Sequence, residues 1–395
     1  MGIVKLKELV DIYLGVTHTP EYVFKGVPFL SVKDISDGEI SFEDCKYISQ
    51  EEYDSLSEGA KPKVGDMLFC RVGTLGKPII IPEGTPLFGS FVSLGYLRNK
   101  NSDRCDMNYL RYWMNSNAFW QQVNANVKGA SQVNLNTGWL SKFDVDLPSL
   151  EEQRYRISIL DQCSRILKYR KEQLEGIDNI IKARFVELFG DPKLNPKKWD
   201  VVNISEVVGG KVSNGFFAKR DDYCDDGNIR VLGVANIVNR MYSNLEDLPR
   251  TNADDKDIEK FEVKYGDMLF CRSSLVAEGI GKASIIPEDV QENILFECHV
   301  IRLPLDLSKC VPEFIQTLST MDYFRNQVIS QSKTATMTTI GQDGILKTDI
   351  ILPPIDKQKE FYDFVKQVDK SKVVVQKALN EAQTLFNSLM QGYFE

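Results

Sequence analysis

Two stretches of the chain carry an apolar residue at every seventh position. The first is Leu160, Leu167, Leu174, Ile181 and Leu188, and the second is Phe361, Val368, Val375, Ala382 and Leu389. A column of this period over about 30 residues predicts helix-on-helix packing with a left-handed supercoil. The companion column is less clean: from Leu160 it meets Ser164, Lys171 and Asp178 before Phe185. The two helices are therefore expected to pair and also to lean on something else, with an amphipathic helix capping its own domain as the alternative. Pro148 opens the first helix, Glu151 and Glu152 suit its positive dipole end, and Gly190-Asp191-Pro192 closes it. At 1.5 Å per residue, 40 helical residues would reach roughly 60 Å, the length of a spacer. Pro353-Pro354 opens the second helix.

The rest of the pattern repeats. Lys63-Val64-Gly65-Asp66-Met67-Leu68-Phe69-Cys70-Arg71 recurs as Lys264-Tyr265-Gly266-Asp267-Met268-Leu269-Phe270-Cys271-Arg272, eight identities in nine positions at an offset of 201. After a four-residue insertion, Gly76-Lys77 returns as Gly281-Lys282 and Ile80-Ile81-Pro82-Glu83 as Ile285-Ile286-Pro287-Glu288, at an offset of 205. At that offset the amphipathic stretches Asn108 to Val123 and Glu313 to Val328 align, Leu147-Pro148 answers Leu352-Pro353, and Gln153 answers Gln358. Each copy runs through a β-rich opening, the GDMLFCR strand, a helix, a polar loop (Lys128 to Thr137, or Lys333 to Gln342), a short strand ending in Leu-Pro and a long helix. The helix-borne rings Trp113, Phe119, Trp120 and Phe324 read as core anchors rather than stacking platforms.

Composition narrows the function. The 395 residues are 43% hydrophobic and 26% charged, within the range of ordinary globular proteins, and no apolar run has the length of a membrane helix. Met1 to Val10 does not read as a signal peptide, so a cytoplasmic protein is expected. Eight scattered cysteines without a CxxC pair suit reduced structural thiols. Two histidines, His18 and His299, leave little material for a zinc cluster or a histidine-based nucleophile system, and no metal site is expected. A net charge of -8 argues against a generic polyanion binder.

Catalytic motifs are largely missing. Gly76-Lys77 and Gly281-Lys282 lack the remainder of a phosphate loop, and there is no G-x-S-x-G, H-E-x-x-H or Asn-Pro-Pro-aromatic motif. Carboxylates such as Asp254, Asp255 and Glu262 could in principle serve a metal-dependent nuclease. At the offset of 201 Glu262 falls on Lys61, however, so such a site would exist in one copy of a two-copy architecture. What remains is a binder built as a pseudo-dimer within one chain, in the manner of dimeric DNA readers that engage two half-sites. Its divergent parts, residues 12–60 against 208–260 and the polar loops, would each read their own target.

The GD-x-LF-x-R strand followed by Gly73-Thr74-Leu75-Gly76-Lys77, the opening Gly15-Val16-Thr17-His18-Thr19-Pro20, and the Leu-Pro-x-x-x-x-Gln helix start resemble the specificity subunit of type I restriction-modification enzymes over essentially the whole chain. The resemblance implies an α+β fold. Two mixed α/β target-recognition domains, residues 1–148 and 193–353, would alternate with two long helical regions, 149–192 and 354–395, that pair antiparallel as a coiled coil around a pseudo-two-fold repeat. It also implies a subunit without catalysis of its own, binding double-stranded DNA and docking two methyltransferase subunits and restriction/translocase subunits. S-adenosylmethionine and ATP with magnesium would sit on those partners. A protein-binding coiled-coil scaffold and a divergent nuclease are the alternatives. The second copy departs from the pattern by its lengthened loop after Arg272 and by Ser213-Asn214-Gly215 in the opening.

Donors able to reach bases or phosphates give the candidate DNA contacts. In the first copy these are Arg71, Thr74, Lys77, Lys128, Ser131, Gln132 and Asn134. The second offers Lys219, Arg220, Arg272, Lys282, Ser332, Lys333, Thr334 and Thr336. The identity of Arg71 and Arg272 in both copies is also what a fold-making salt bridge, to Asp66 or Asp267, would produce.

Overall fold

A computed structural model describes residues 2–36, 38–126, 134–334 and 337–395. The chain forms two compact units, Met1–Lys171 with Lys377–Glu395, and Glu172–Gln376. Each long helix is divided between them: Leu150–Phe189 and Ile355–Phe394 both contribute one part to each unit.

The core of the first unit is a four-stranded antiparallel sheet in the order Val10–Leu14, Leu94–Asn99, Met67–Cys70, Gly76–Ile80. The second unit repeats it as Ser213–Asn214, Val300–Pro304, Asp267–Cys271, Ala283–Ile285. The repeated apolar run is the central strand, and its side chains alternate between two cores. Met67 and Phe69 face the short helices Met107–Met114 and Asn117–Asn126, while Leu68 and Cys70 face a layer containing Leu30, Phe88 and Leu94. Met268 and Phe270, against Leu269 and Cys271, divide in the same way. A strand covered on both faces has no place for a polar residue, which is why this segment is the most uniform of the repeat.

The turn entering that strand is also shared. Gly65 and Gly266 sit at φ 86° and 88°, where a side chain is disfavoured, and the Asp66 and Asp267 carboxylates each accept from the backbone N–H three residues earlier, Lys63 or Lys264, at 2.8 Å. A second small sheet completes each unit, and Gly2–Lys5 pairs antiparallel with Asp144–Leu147 as Asp200–Asn203 does with Asp349–Leu352.

The Leu-Pro-x-x-x-x-Gln motif is a clamp. Gln153 and Gln358, both fully buried, lie in the first turns of the long helices. The Gln153 side-chain oxygen accepts from Asp106 N–H at 2.9 Å and its amide donates to the Pro148 and Arg104 carbonyls at 2.9 and 3.0 Å. Gln358 accepts from Val311 N–H at 2.9 Å and donates to the Pro353 carbonyl at 2.7 Å. Each amide thereby ties a helix start to the segment that leads into the short helices.

Within each unit the long helices run antiparallel. In the first, Arg156 Nη1 donates to the Tyr393 carbonyl at 2.6 Å, and the Tyr109 and Phe394 rings lie 5.1 Å apart. In the second, Lys372 bonds Asp178 at 2.5 Å, Arg184 reaches Glu360 at 3.3 Å, and Phe185 packs on Phe189, Phe314 and Phe361. Leu160, Leu167, Ile181 and Phe361 are buried, and Leu174, Leu188, Val368, Val375, Ala382 and Leu389 are half-buried. The broken companion column has its cause here: Phe185 belongs to the core of its own unit, and Lys171 lies on an exposed face. Gly190 ends the first helix at φ 81°.

Candidate nucleic-acid interface

In both units the buried strand leads into an arginine that fastens the polar loop. Arg71 Nε donates to the Leu135 carbonyl at 3.0 Å and Nη1 to the Val92 carbonyl at 2.9 Å, while the Arg71 carbonyl accepts from Leu135 N–H. Burial draws this guanidinium below its ordinary pKa. Arg272 Nη1 donates to the Cys298 carbonyl at 3.2 Å, and its carbonyl accepts from Ile340 N–H, the counterpart of Leu135.

The salt bridges expected of these arginines are made by others. Asp66 is held by Arg98 through Nε at 2.9 Å and Nη2 at 2.8 Å, and Asp267 faces Arg302 Nη1 at 3.8 Å. Alternation is the reason: Arg71 and Arg272 are five residues from the aspartates and point to the opposite face. Continuing the pairing of Leu97 with Met67 puts Arg98 opposite Asp66. Arg302 pairs with Leu269, one diagonal step from Asp267, and the longer distance follows. Bonding to Asp66 raises the pKa of Arg98, whereas burial dominates at Asp267 and pushes it up to about 6.

In the second unit the polar loop folds into a ribbon. Ser273–Ser274, Thr338–Thr339 and Lys333–Thr334 form a three-stranded antiparallel sheet with Thr338–Thr339 in the middle. Thr334 Oγ1 lies 3.0 Å from Thr338 Oγ1, and His299 Nδ1 lies 3.4 Å from Ser273 Oγ. The lengthened loop leaves the ribbon at Ser274 and exposes Leu275 and Val276. Gln342 bonds Asn214 at 3.2 Å, joining the loop to the opening strand. The ribbon therefore presents hydroxyls, an imidazole and a lysine on backbone held by hydrogen bonds. Such groups can both donate to and accept from base edges or phosphates.

The other candidates are dispersed. Thr74 and Asn134 are exposed, and Lys77 is half-buried at φ 48°. The preceding Gly76 is required by the ring of Trp120, which lies 2.9 Å from where its Cβ would be. Lys128, Ser131, Gln132 and Thr336 lie outside the described residues. Lys219 and Arg220 are exposed at a separate turn where Asp222 accepts from Lys219 N–H at 2.8 Å. Ser332 bonds the Ile329 carbonyl at 2.7 Å beside the exposed Lys333 and Thr334. Lys282 Nζ bonds Asn239 Oδ1 at 2.8 Å. Sequence reasoning passed over Ser273, Ser274, Thr338 and Thr339 as strand residues. The alternating threonines of Thr334, Thr336 and Thr338 were the available signal.

The opening of the second copy keeps the backbone of the first despite its different sequence. A Cβ on Gly15 would lie 2.2 Å from the Ser90 carbonyl oxygen, and one on Gly215 2.2 Å from that of Phe296. Asp254, one of the carboxylates weighed for a metal, caps a helix by accepting from Asp257 N–H at 2.8 Å. Among the described residues no group of three or more His, Cys, Asp or Glu is placed to hold a metal ion.

Comparison with known proteins agrees with this duplicated plan. The StySPI specificity subunit of Salmonella potsdam is 26% identical over 301 residues, 72% of this chain and 63% of that protein. The EcoKI subunit of Escherichia coli strain K12 is 23% identical over 307 residues, again 72% of this chain and 63% of that protein, so the aligned part falls short of two thirds of either relative. The EcoBI subunit of Escherichia coli is 21% identical over 393 residues, 93% of this chain and 78% of that protein. The fold is similar to the crystal structure of a type I restriction-modification S subunit from M. genitalium, with a TM-score of 0.52 and 11% identity over 100% of this chain and 96% of that one. The model of the type I restriction modification DNA specificity domain matches twice, at residues 2–177 and 196–383. Those two matches follow the two copies of strand, clamp and long helix, and the chain belongs to the type I restriction-modification specificity family.

Proposed function

We propose that the chain is the DNA sequence-recognition subunit of a type I restriction-modification complex, in which each copy of the repeat reads one half-site of an asymmetric bipartite target. The observation that carries this reading is the contrast between frame and edge. The sheet, turn, clamp and helix positions agree between the copies, whereas the opening segments and polar loops differ in sequence and the loop after the central strand differs in length. A constant frame with variable polar edges is what two readers of different sequences require.

The chain would dock two methyltransferase subunits and the restriction/translocase subunits, and perform no catalysis itself. S-adenosylmethionine would act on the former, ATP and magnesium on the latter. Its net charge of -8 supplies little phosphate affinity, so the isolated chain should bind DNA weakly and gain specific affinity when modification subunits add basic surface. Tight site-specific binding by the lone chain at physiological salt would contradict that division of labour.

Replacing residues 1–148 by the corresponding domain of a relative, then mapping methylated adenines across the genome of a host carrying the complex, tests the reading. The expected result is a target in which one half-site changes and the other is retained. An unchanged target in an active complex would exclude half-site reading and leave the scaffold alternative.

A further inference from the structure

The second unit contains a cavity of about 330 Å³ with an unusual charge. Its lining includes five cations, Lys182, Arg240, Lys282, Arg325 and Lys372, and one carboxylate, Asp178, in a chain of net charge -8. Asp178 is taken by Lys372. Among the described residues the other four cations bond only neutral acceptors or none: Lys282 meets the Asn239 side chain, Arg240 the Val238 carbonyl at 3.4 Å, and Arg325 Nη2 the Glu278 carbonyl at 2.9 Å. Arg325 Nη1 is buried without a partner among the described residues, and so is the hydroxyl of Thr317, a residue only 2% exposed on the same lining. A buried N–H without an acceptor is costly, and burial draws the Arg325 pKa down. An oxyanion would supply what these groups lack.

The repeat shows how the cavity arises. At the offset of 205, Arg325 stands in the second unit where the first unit has Trp120, Thr317 where it has Tyr112, and Ile181 where it has Phe386. In the first unit these aromatics occupy the space: Tyr112 and Phe386 lie 6.4 Å apart, Tyr112 bonds Asp161 at 2.6 Å, and Trp120 covers Gly76. The second unit lacks three rings and gains a guanidinium, with Lys182 at the position of Asn387 and Lys372 at that of Leu167. Only the lysine of the Gly-Lys pair, Lys77 or Lys282, is common to both. Truncation and cationic replacement at neighbouring positions open a concavity and charge it together.

We infer that this cavity binds a phosphate group, held by Arg325 and Arg240 with Lys182 and Lys282 around it. The same chemistry could be presented by a DNA backbone or by a free phosphate compound, and the site does not depend on half-site reading. The test uses the full chain and inorganic pyrophosphate in isothermal titration calorimetry, with Arg325→Trp and Thr317→Tyr restoring the first copy's residues. Saturable binding weakened at least tenfold in the double variant is expected. Lys182→Gln, at an exposed position, guards against misfolding of that variant and should weaken binding about threefold. With modification subunits added so that a fluorescent duplex is bound, its displacement by pyrophosphate would assign the site to DNA backbone, and pyrophosphate binding without displacement to a free phosphate compound. No saturable binding, or binding that Lys182→Gln and the folded double variant both leave unchanged, would overturn the inference.

Discussion

Arg71 and Leu135 hold each other twice: the arginine carbonyl accepts the leucine N–H, and the arginine Nε donates to the leucine carbonyl, both at 3.0 Å. The polar loop is thus anchored to the end of the central strand by a side chain occupied with backbone carbonyls. Arg71→Ala should cost about 1–3 kcal/mol through the acceptors left behind. A lower urea midpoint, with the recognised sequence unchanged in methylation mapping, is expected. Altered readout of a single base pair at undiminished stability would make Arg71 a base contact instead.

The buried glutamines should be less tolerant than any surface residue. Gln358→Ala leaves Val311 N–H and the Pro353 carbonyl without their partner and opens a void beside the second helix start. A loss of about 2–4 kcal/mol is expected from denaturant titration. Gln153→Ala should behave likewise in the first unit. A change below about 0.5 kcal/mol in both variants would mean that the clamp contributes nothing to stability.

Gly15 and Gly215 are required by backbone proximity. A methyl group at either would lie 2.2 Å from a carbonyl oxygen, so Gly15→Ala and Gly215→Ala should reduce the soluble folded yield severely. Gly2, with no atom within 4 Å of a would-be Cβ, is the control, and Gly2→Ala should leave the melting temperature within about 2 °C.

Asp267 makes stability depend on pH in the direction opposite to an ordinary ion-paired carboxylate. Burial pushes its pKa up from 3.8 to about 6, so folding favours the protonated form. The corresponding stabilisation is complete below the unfolded value and is lost as pH rises through about 6. A shift of this size corresponds to about 3 kcal/mol at most. Asp267→Asn should flatten the decline in urea midpoint between pH 4.5 and 7 relative to the parent chain. Parallel profiles for the two would show that Asp267 does not titrate in that window.

Much of this architecture was legible because it rests on local pattern. The strand Met67–Cys70 is buried on both faces and so reads as an unbroken apolar run, and the heptad columns mark the long helices directly. The partners of Asp66 and Asp267 were not legible, since they depend on cross-strand register. Arg98 and Arg302 occupy different register positions, so aligning the copies would not have matched them. The ribbon was hidden because its strands are two residues long and polar, and the cavity because its lining converges from separate segments spread between Asp178 and Lys372.

The sharing of both long helices between the units bears on how the chain folds as it is made. Tyr109 and Tyr112 of the first unit are covered by Phe394 and Phe386, more than 270 residues downstream. On the ribosome the first unit would therefore stay open along one seam while the whole of residues 172–376 was synthesised. Ending translation before position 377 should leave an aromatic strip bare, and nascent chains stalled there should be more readily engaged by chaperones and cleaved by proteases than those released after position 394.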